Sequence, residues 1–262
     1  MKNIQLVIPA AGLGSRFADH GYTAPKPLID VAGLPMIEWV IGNFQLIPGD
    51  TLIVVSRVGL NIQEEIAPIV EKLGVSVNFI DVPALTEGPA MTVAAAASKI
   101  NMDMALVVAN SDQYVSNSLN LFLNRLRHSS KEYGLILTMK ASSNKWSYVG
   151  RTDNGTVTEV IEKVEISDEA TVGIYGWSSA KLFFDSLEVM ISNNDRTNGE
   201  FYVAPTYNYL IQKGITVETE HVGNVEDSVH GLGTVDDLLI FLENPQLKNY
   251  LTNVQSSLGI LS

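Results

Sequence analysis

The stretch Ile4-Gln-Leu-Val-Ile-Pro-Ala-Ala-Gly-Leu-Gly-Ser-Arg-Phe17, followed by Pro25-Lys-Pro-Leu28, decides how the rest of this chain is read. An apolar run with strand character ends in two small residues and opens into a glycine loop. Gly12 and Gly14 let backbone N–H groups turn inward and approach a phosphate with no Cβ in the way. Arg16 and Lys26 add cationic donors where that phosphate would lie. Two other phosphate loops are excluded by spacing. No G-x-x-x-x-G-K-[ST] string occurs, and a dinucleotide G-x-G-x-x-G would need glycine where the chain has Phe17. What remains, G-x-G-x-R and then P-K-P-L, is a loop built to hold a polyphosphate.

Composition narrows the partners. The chain has 262 residues, 46% of them hydrophobic and 18% charged, which allows a sizeable core. Its formal net charge of −12 argues against nucleic acid, because an acidic field repels a phosphate backbone. A small anionic substrate needs only a local positive pocket, and residues 12–28 hold Arg16 and Lys26 against the single acid Asp19. With no cysteine, a disulfide framework and a thiolate metal site are both excluded. His20, His128, His221 and His230 lack the spacing of a zinc site. No apolar run is long enough to span a membrane, and the start Met1-Lys-Asn-Ile-Gln-Leu6 enters a strand at once. The expectation is a cytoplasmic protein with no membrane partner; a homo-oligomer is left open.

Strand-like and helix-like segments alternate through the first half. Strands are expected at 5–10, 51–56, 75–80 and 104–109, with helices near 36–46, 62–72 and 90–99 between them. This order predicts an α/β protein, a Rossmann-like three-layer αβα sandwich whose mixed sheet is mostly parallel. Past residue 133 strands follow at 135–140, 157–163 and 171–177 with less helix between them, and Asp153-Asn-Gly155 marks a hairpin. Helices near 180–192 and 203–213, a strand at 216–221 and one C-terminal helix from Val235 complete the expected order. No linker or repeat interrupts the chain, so 1–262 is expected to form one domain. Its first half is about 1–130 and its second about 131–240, with a helical tail over 235–262.

The pairing of G-x-G-x-R with P-K-P-L resembles the signature of the sugar-1-phosphate nucleotidyltransferases, the nucleotide-sugar pyrophosphorylases. Ligands of open α/β sheets lie beyond the carboxyl ends of the strands, where several further motifs fall. The resemblance covers roughly residues 4 to 240. It implies transfer of a nucleotide from an NTP to a sugar-1-phosphate or similar phosphorylated small molecule, dependent on Mg²⁺, for cell-surface polysaccharide synthesis. Arg16 and Lys26 become the catalytic cations, and residues Ala10, Ala11, Gly12, Leu13, Gly14 and Ser15 become the nucleotide loop. Gly88 is placed against the nucleobase, although Pro83 stands where a base-reading glutamine is common. Asp112, in Asn110-Ser-Asp-Gln113, is implied as the Mg²⁺ ligand; its plain alternative is a cap or turn residue before a helix near 119–126. Glu162 and Lys163 are implied to hold the sugar-phosphate; alone, such a pair reads as solvated surface. Asn198-Gly-Glu200-Phe-Tyr-Val and His230-Gly-Leu-Gly-Thr234 complete the match. In the latter, Gly231 replaces an expected second metal-binding aspartate, leaving phosphates alone or Asp227, Glu226 or His230 to substitute. Thr234 and Asp237 form a capping box. Trp146, Tyr148, Tyr175 and Trp177 are open between core and sugar stacking.

The attacking phosphate is already an anion, so no general base or protein nucleophile is required. A GT-A-type glycosyltransferase shares the fold and the metal aspartate but does not need Lys26. A non-catalytic nucleotide-sugar-binding regulator does not need Arg16 or Lys26, and the missing second aspartate is what favours it. Neither base nor sugar can be read from the sequence.

Overall fold

In the computed structural model, which describes residues 1–261, the chain winds through β1 (Ile4–Pro9), α1 (Ser15–Ala18), β2 (Asp30–Val31), β3 (Leu34–Pro35), α2 (Met36–Gly42), β4 (Thr51–Arg57), α3 (Ile62–Val70) and β5 (Ser76–Val82). It continues with α4 (Pro89–Ala94), β6 (Ala105–Ala109), β7 (Gln113–Val115), α5 (Asn120–Arg127), β8 (Tyr133–Lys140), β9 (Ser147–Arg151), β10 (Val157–Glu162) and β11 (Glu169–Trp177). The last elements are α6 (Ala180–Ser192), α7 (Thr206–Gln212), β12 (Thr216–Asn224), β13 (Val229–Gly231), α8 (Val235–Leu242) and α9 (Leu247–Ser257).

One nine-stranded sheet runs through both halves. Strands β6, β1, β4 and β5 lie side by side and parallel, as the alternation of strand and helix dictates. Successive residues enter opposite layers: Leu6 and Ile8 join one apolar cluster, Val7 the other. The same split separates Leu52 and Val54 from Ile53 and Val55. Period-two side-chain direction thus gives each central strand two buried faces, which is why these strands are apolar throughout. Trp39, Ile66, Phe122, Phe241 and Val254 cover one face; Val93, Phe183 and Tyr207 cover the other. The three-layer expectation holds.

Beyond β6 the pairing turns antiparallel, except that β12 runs parallel to β8. The second part of β11 pairs β6 through Ile174–Ala109, whereas its first part pairs β9 through Ala170–Tyr148. The change falls at Gly173, where φ is +83° and the β11–β8 register also shifts. A Cβ there would strike Gln113 Oε1 and lie 2.5 Å from Asn110 Nδ2. Glycine therefore lets β11 leave β6, and the gap between them opens at the carboxyl end of the sheet. Because β1 lies between β4 and β6, chain crossovers depart from it in both directions, the arrangement that leaves a crevice at this end.

Several elements depart from the sequence reading. The short α1, the β2–β3 pair, strand β9 and the small β7–β13 pair are additional. The C-terminal helix is two helices, since Pro245 lacks an N–H and disfavours helical geometry in Asn244. Among the described residues, no helix is long and apolar enough to cross a membrane.

Candidate active site

The loop after β1 keeps its donors free. Among the described residues, no backbone or side-chain group accepts from the N–H groups of residues 11–14. Such uncommitted amides are the donors an anion needs. Gly14 has φ +65°, and a Cβ there would lie 2.9 Å from Lys26 Cβ. Its small size thus seats the P-K-P-L lysine against the loop, which ties the two motifs together physically. Gly12, by contrast, faces open space.

Lys26 Nζ donates to Asp112 Oδ2 at 2.5 Å, joining the first crossover to the turn after β6. Asp112 is thus not a cap of α5. Leu232 N donates to the Asp112 carbonyl, which draws the His230–Thr234 loop over the same turn.

Two cavities meet here. One, about 420 Å³, is bounded by residues 9–17, Lys26, Leu85, Thr86, Gly88 and Thr92. The other, about 560 Å³, is bounded by Asn110, Asp112, Lys145, Trp146, Ser147, Glu162, Lys163, Tyr175, Tyr202 and Asp237, among others. They share Pro9, Arg16, Pro89, Ser111 and Gly233, so Arg16 stands at the junction. All the sequence-identified residues, from Ala10 through Ser15 to Gly88, Asp112, Glu162 and Lys163, line one or the other.

Glu162 is not a surface residue. It is 8% exposed, and its carboxylate accepts from Ser147 Oγ on the neighbouring strand β9. Burial pushes its pKa up; the Ser147 hydrogen bond and the Lys163 charge oppose this, while Glu200 adds to it. Lys163 adopts φ +60°, with its N–H held by the Trp146 carbonyl at 2.9 Å. Its ammonium donates to Tyr202 Oη and lies 4.4 Å from that ring's centre. Burial and the Glu200 carboxylate push the Tyr202 hydroxyl up, so it stays protonated. Of the four aromatics in question, Tyr148 and Trp177 are core, Tyr175 is buried in the core at the edge of the larger cavity, and Trp146 lines that cavity. Gly88 is pressed against Phe201, whose carbonyl accepts from Ala90 N and whose N–H donates to the Glu87 carbonyl.

The substitutes considered for the absent aspartate are placed elsewhere. Asp227 lines neither cavity, Glu226 borders a separate small recess, and His230 is packed among Tyr114, Phe241 and Tyr250. Burial lowers the His230 pKa, as expected of a core histidine. The carboxylate that does reach the larger cavity is Asp237, whose Oδ2 lies 3.7 Å from where a Gly231 Cβ would be. Its N–H donates to Thr234 Oγ1 at 3.2 Å, so the capping box is real as well. Lys145 Nζ donates to Asp237 at 3.0 Å. Lys145 and Ser147 belong to no motif, and Asp237 reads in sequence only as a cap.

The model of the MobA-like NTP transferase domain matches residues 6–149. The bifunctional protein GlmU of Acetivibrio thermocellus is 26% identical over 245 residues, covering 90% of this chain and 50% of that protein. The chain thus spans about half the length of the curated relatives it matches. A 2-aminoethylphosphonate cytidylyltransferase of Lancefieldella rimae is 63% identical over 35 residues, 13% of this chain and 14% of that protein. The crystal structure of a nucleoside-diphosphate-sugar pyrophosphorylase from Vibrio cholerae RC9 superposes with TM-score 0.78 at 24% identity, covering 91% of this chain and all of that one. With the matched segment spanning more than half of its length, the chain belongs to the MobA-like NTP transferase family.

Proposed function

We propose that the chain transfers a nucleotidyl group from an NTP to a sugar-1-phosphate or a similar phosphorylated small molecule, releasing pyrophosphate. The observation that carries this is the continuous cavity, with free loop amides and Lys26 at one end, Glu162 and Lys163 at the other, and Arg16 between. An oxygen of the acceptor phosphate bonds to the α-phosphorus, the α–β phosphoanhydride bond breaks, and its electron pair leaves with pyrophosphate. No proton needs to move. The barrier is repulsion between anions, so the work left to the protein is positioning and charge stabilisation. The loop amides, Arg16 and Lys26 face the triphosphate, and Lys163 steadies the acceptor phosphate while Glu162 accepts from its hydroxyls.

Asp112 and Asp237, both on the larger cavity, are the carboxylates assigned to a cation, and among the described residues no group of three or more His, Asp or Glu is placed to hold a metal ion. Two hard oxygen donors plus substrate phosphates fit Mg²⁺, which keeps several waters. Bound there, it would neutralise phosphate charge. The short identity with a phosphonate-handling cytidylyltransferase supports keeping the acceptor class wider than sugars. The proposal extends to use of the product as an activated building block for surface polysaccharide, in the cytoplasm. The test is a panel of NTPs against sugar-1-phosphates and other phosphorylated small molecules, scored by pyrophosphate release with and without EDTA. Release that depends on both substrates and stops with EDTA is expected. No release with any pair would sink the reading.

A further inference from the structure

The smaller cavity has a defined hydrogen-bonding polarity around Gly88. Leu13 and Leu85 line this cavity and are 59% and 50% exposed, large apolar surfaces for a flat ring to cover. Thr86 and Thr92 line it too. Thr86 Oγ1 and Thr92 Oγ1 are 2.6 Å apart, and each lies within donating distance of the Gly88 carbonyl, at 3.1 and 3.3 Å. A hydroxyl has one hydrogen and two acceptor positions. Whichever threonine donates to the other, the second hydroxyl hydrogen goes to Gly88 O. Both hydrogens are then committed within the chain, while Thr86 Oγ1 keeps an unused lone pair. Besides Arg16 and Lys26, the charged residue lining this cavity is Glu200, an acceptor when ionised.

Resting on the reading of this cavity as an NTP site, we infer that Thr86 selects a nucleobase bearing an exocyclic amine at its pairing edge, cytosine or adenine, over its keto counterpart. An amine donates to the free lone pair of Thr86 at no cost to the threonine pair. A keto oxygen of uracil or guanine meets an acceptor, unless Thr86 gives up an internal bond. The test is calorimetric titration of the full chain with CTP, ATP, UTP and GTP, without acceptor, in magnesium-containing buffer. CTP should bind about tenfold or more tighter than UTP, or ATP than GTP, roughly the worth of one well-placed hydrogen bond. Either preference supports the inference, and the larger one identifies the ring. Thr86→Val should erase that ratio, while Thr86→Ser and Thr92→Val, in both of which the hydroxyl at position 86 still donates to the Gly88 carbonyl, should keep it. Keto and amine nucleotides binding equally well to the unaltered protein would overturn the inference and leave the nucleotide site standing. An unchanged ratio in a folded Thr86→Val protein would do the same. Binding of none of the four would overturn the nucleotide reading, and this inference with it.

Discussion

Lys26 and Glu162 test the two ends of the cavity. Lys26 is held by Gly14 beside free loop amides, and in the proposed transfer it is a fixed charge facing the phosphoryl group. Lys26→Ala should lower kcat by about two orders of magnitude or more, as loss of an oxyanion donor does, with a smaller effect on substrate affinity. Retention of more than a third of kcat would remove this role. Glu162→Gln should cost about 1–3 kcal/mol in kcat/KM for the acceptor and leave calorimetric NTP binding unchanged. Equal losses of both would make Glu162 a fold residue. Because burial raises the Glu162 pKa, the acid limb of acceptor kcat/KM should begin above the ordinary carboxylate range and vanish in the Gln variant. The candidate loop residues 10–16 were legible because they are contiguous and the chemistry proposed for them follows from residue type. Glu162 was legible only by resemblance, since its burial depends on Ser147 of a strand the periodicity does not show. Asp237 was hidden by its own cap, whose pattern already accounts for the residue.

At the scale of elements, two buried charges make stability measurable. Glu38 in α2 is 2% exposed, and desolvation raises its pKa to about 7 against the opposing charge of Lys72. The folded state therefore holds this proton more tightly than the unfolded state. The stabilisation is fully present below the unfolded value of 4.5 and is lost as pH rises through about 7. The stability advantage of Glu38→Gln over the native chain should grow by on the order of 2–3 kcal/mol between pH 5 and 8, read by urea denaturation. A pH-independent difference would show that Glu38 stays ionised in the fold. Asp50 is fully buried, accepts from Arg127 Nη1 at 2.7 Å and Nη2 at 2.5 Å, and also takes the N–H groups of Ile4 and Ile47 at 2.9 Å. It thereby ties the start of β1 to α5. Asp50→Asn should destabilise by about 3–5 kcal/mol, because Arg127 is left charged and buried. A loss under about 1 kcal/mol would mean that water reaches the pair. Long elements such as β1 and α6 were readable because their patterns are internal. The β7–β13 pair was not, because each strand is three residues long and its partner is distant in sequence.

The whole molecule is two sheet halves of different pairing, joined where β11 changes neighbour. The parallel half delivers the phosphate loop and Asp112; the antiparallel half delivers Glu162 and Lys163. Periodicity alone gave the parallel half, since each crossover helix announces it, but not the gap, which depends on how one glycine meets two side chains far away in sequence. Gly173→Ala tests whether that gap spaces the two ends of the cavity. The new Cβ would carry a left-handed backbone cost of about 1–3 kcal/mol and would collide with Gln113 and Asn110. Asn110 N also donates to the Gly173 carbonyl at 2.9 Å, so any shift of β11 is passed to the turn that carries Asp112. The expected result is a lower melting temperature together with weakened affinity for both substrates, in contrast to the one-sided loss in Glu162→Gln. Gly173→Asn relieves the dihedral strain without relieving the collision. If it binds both substrates as the native chain does, strain alone explains the alanine variant, and the gap does not depend on the missing side chain.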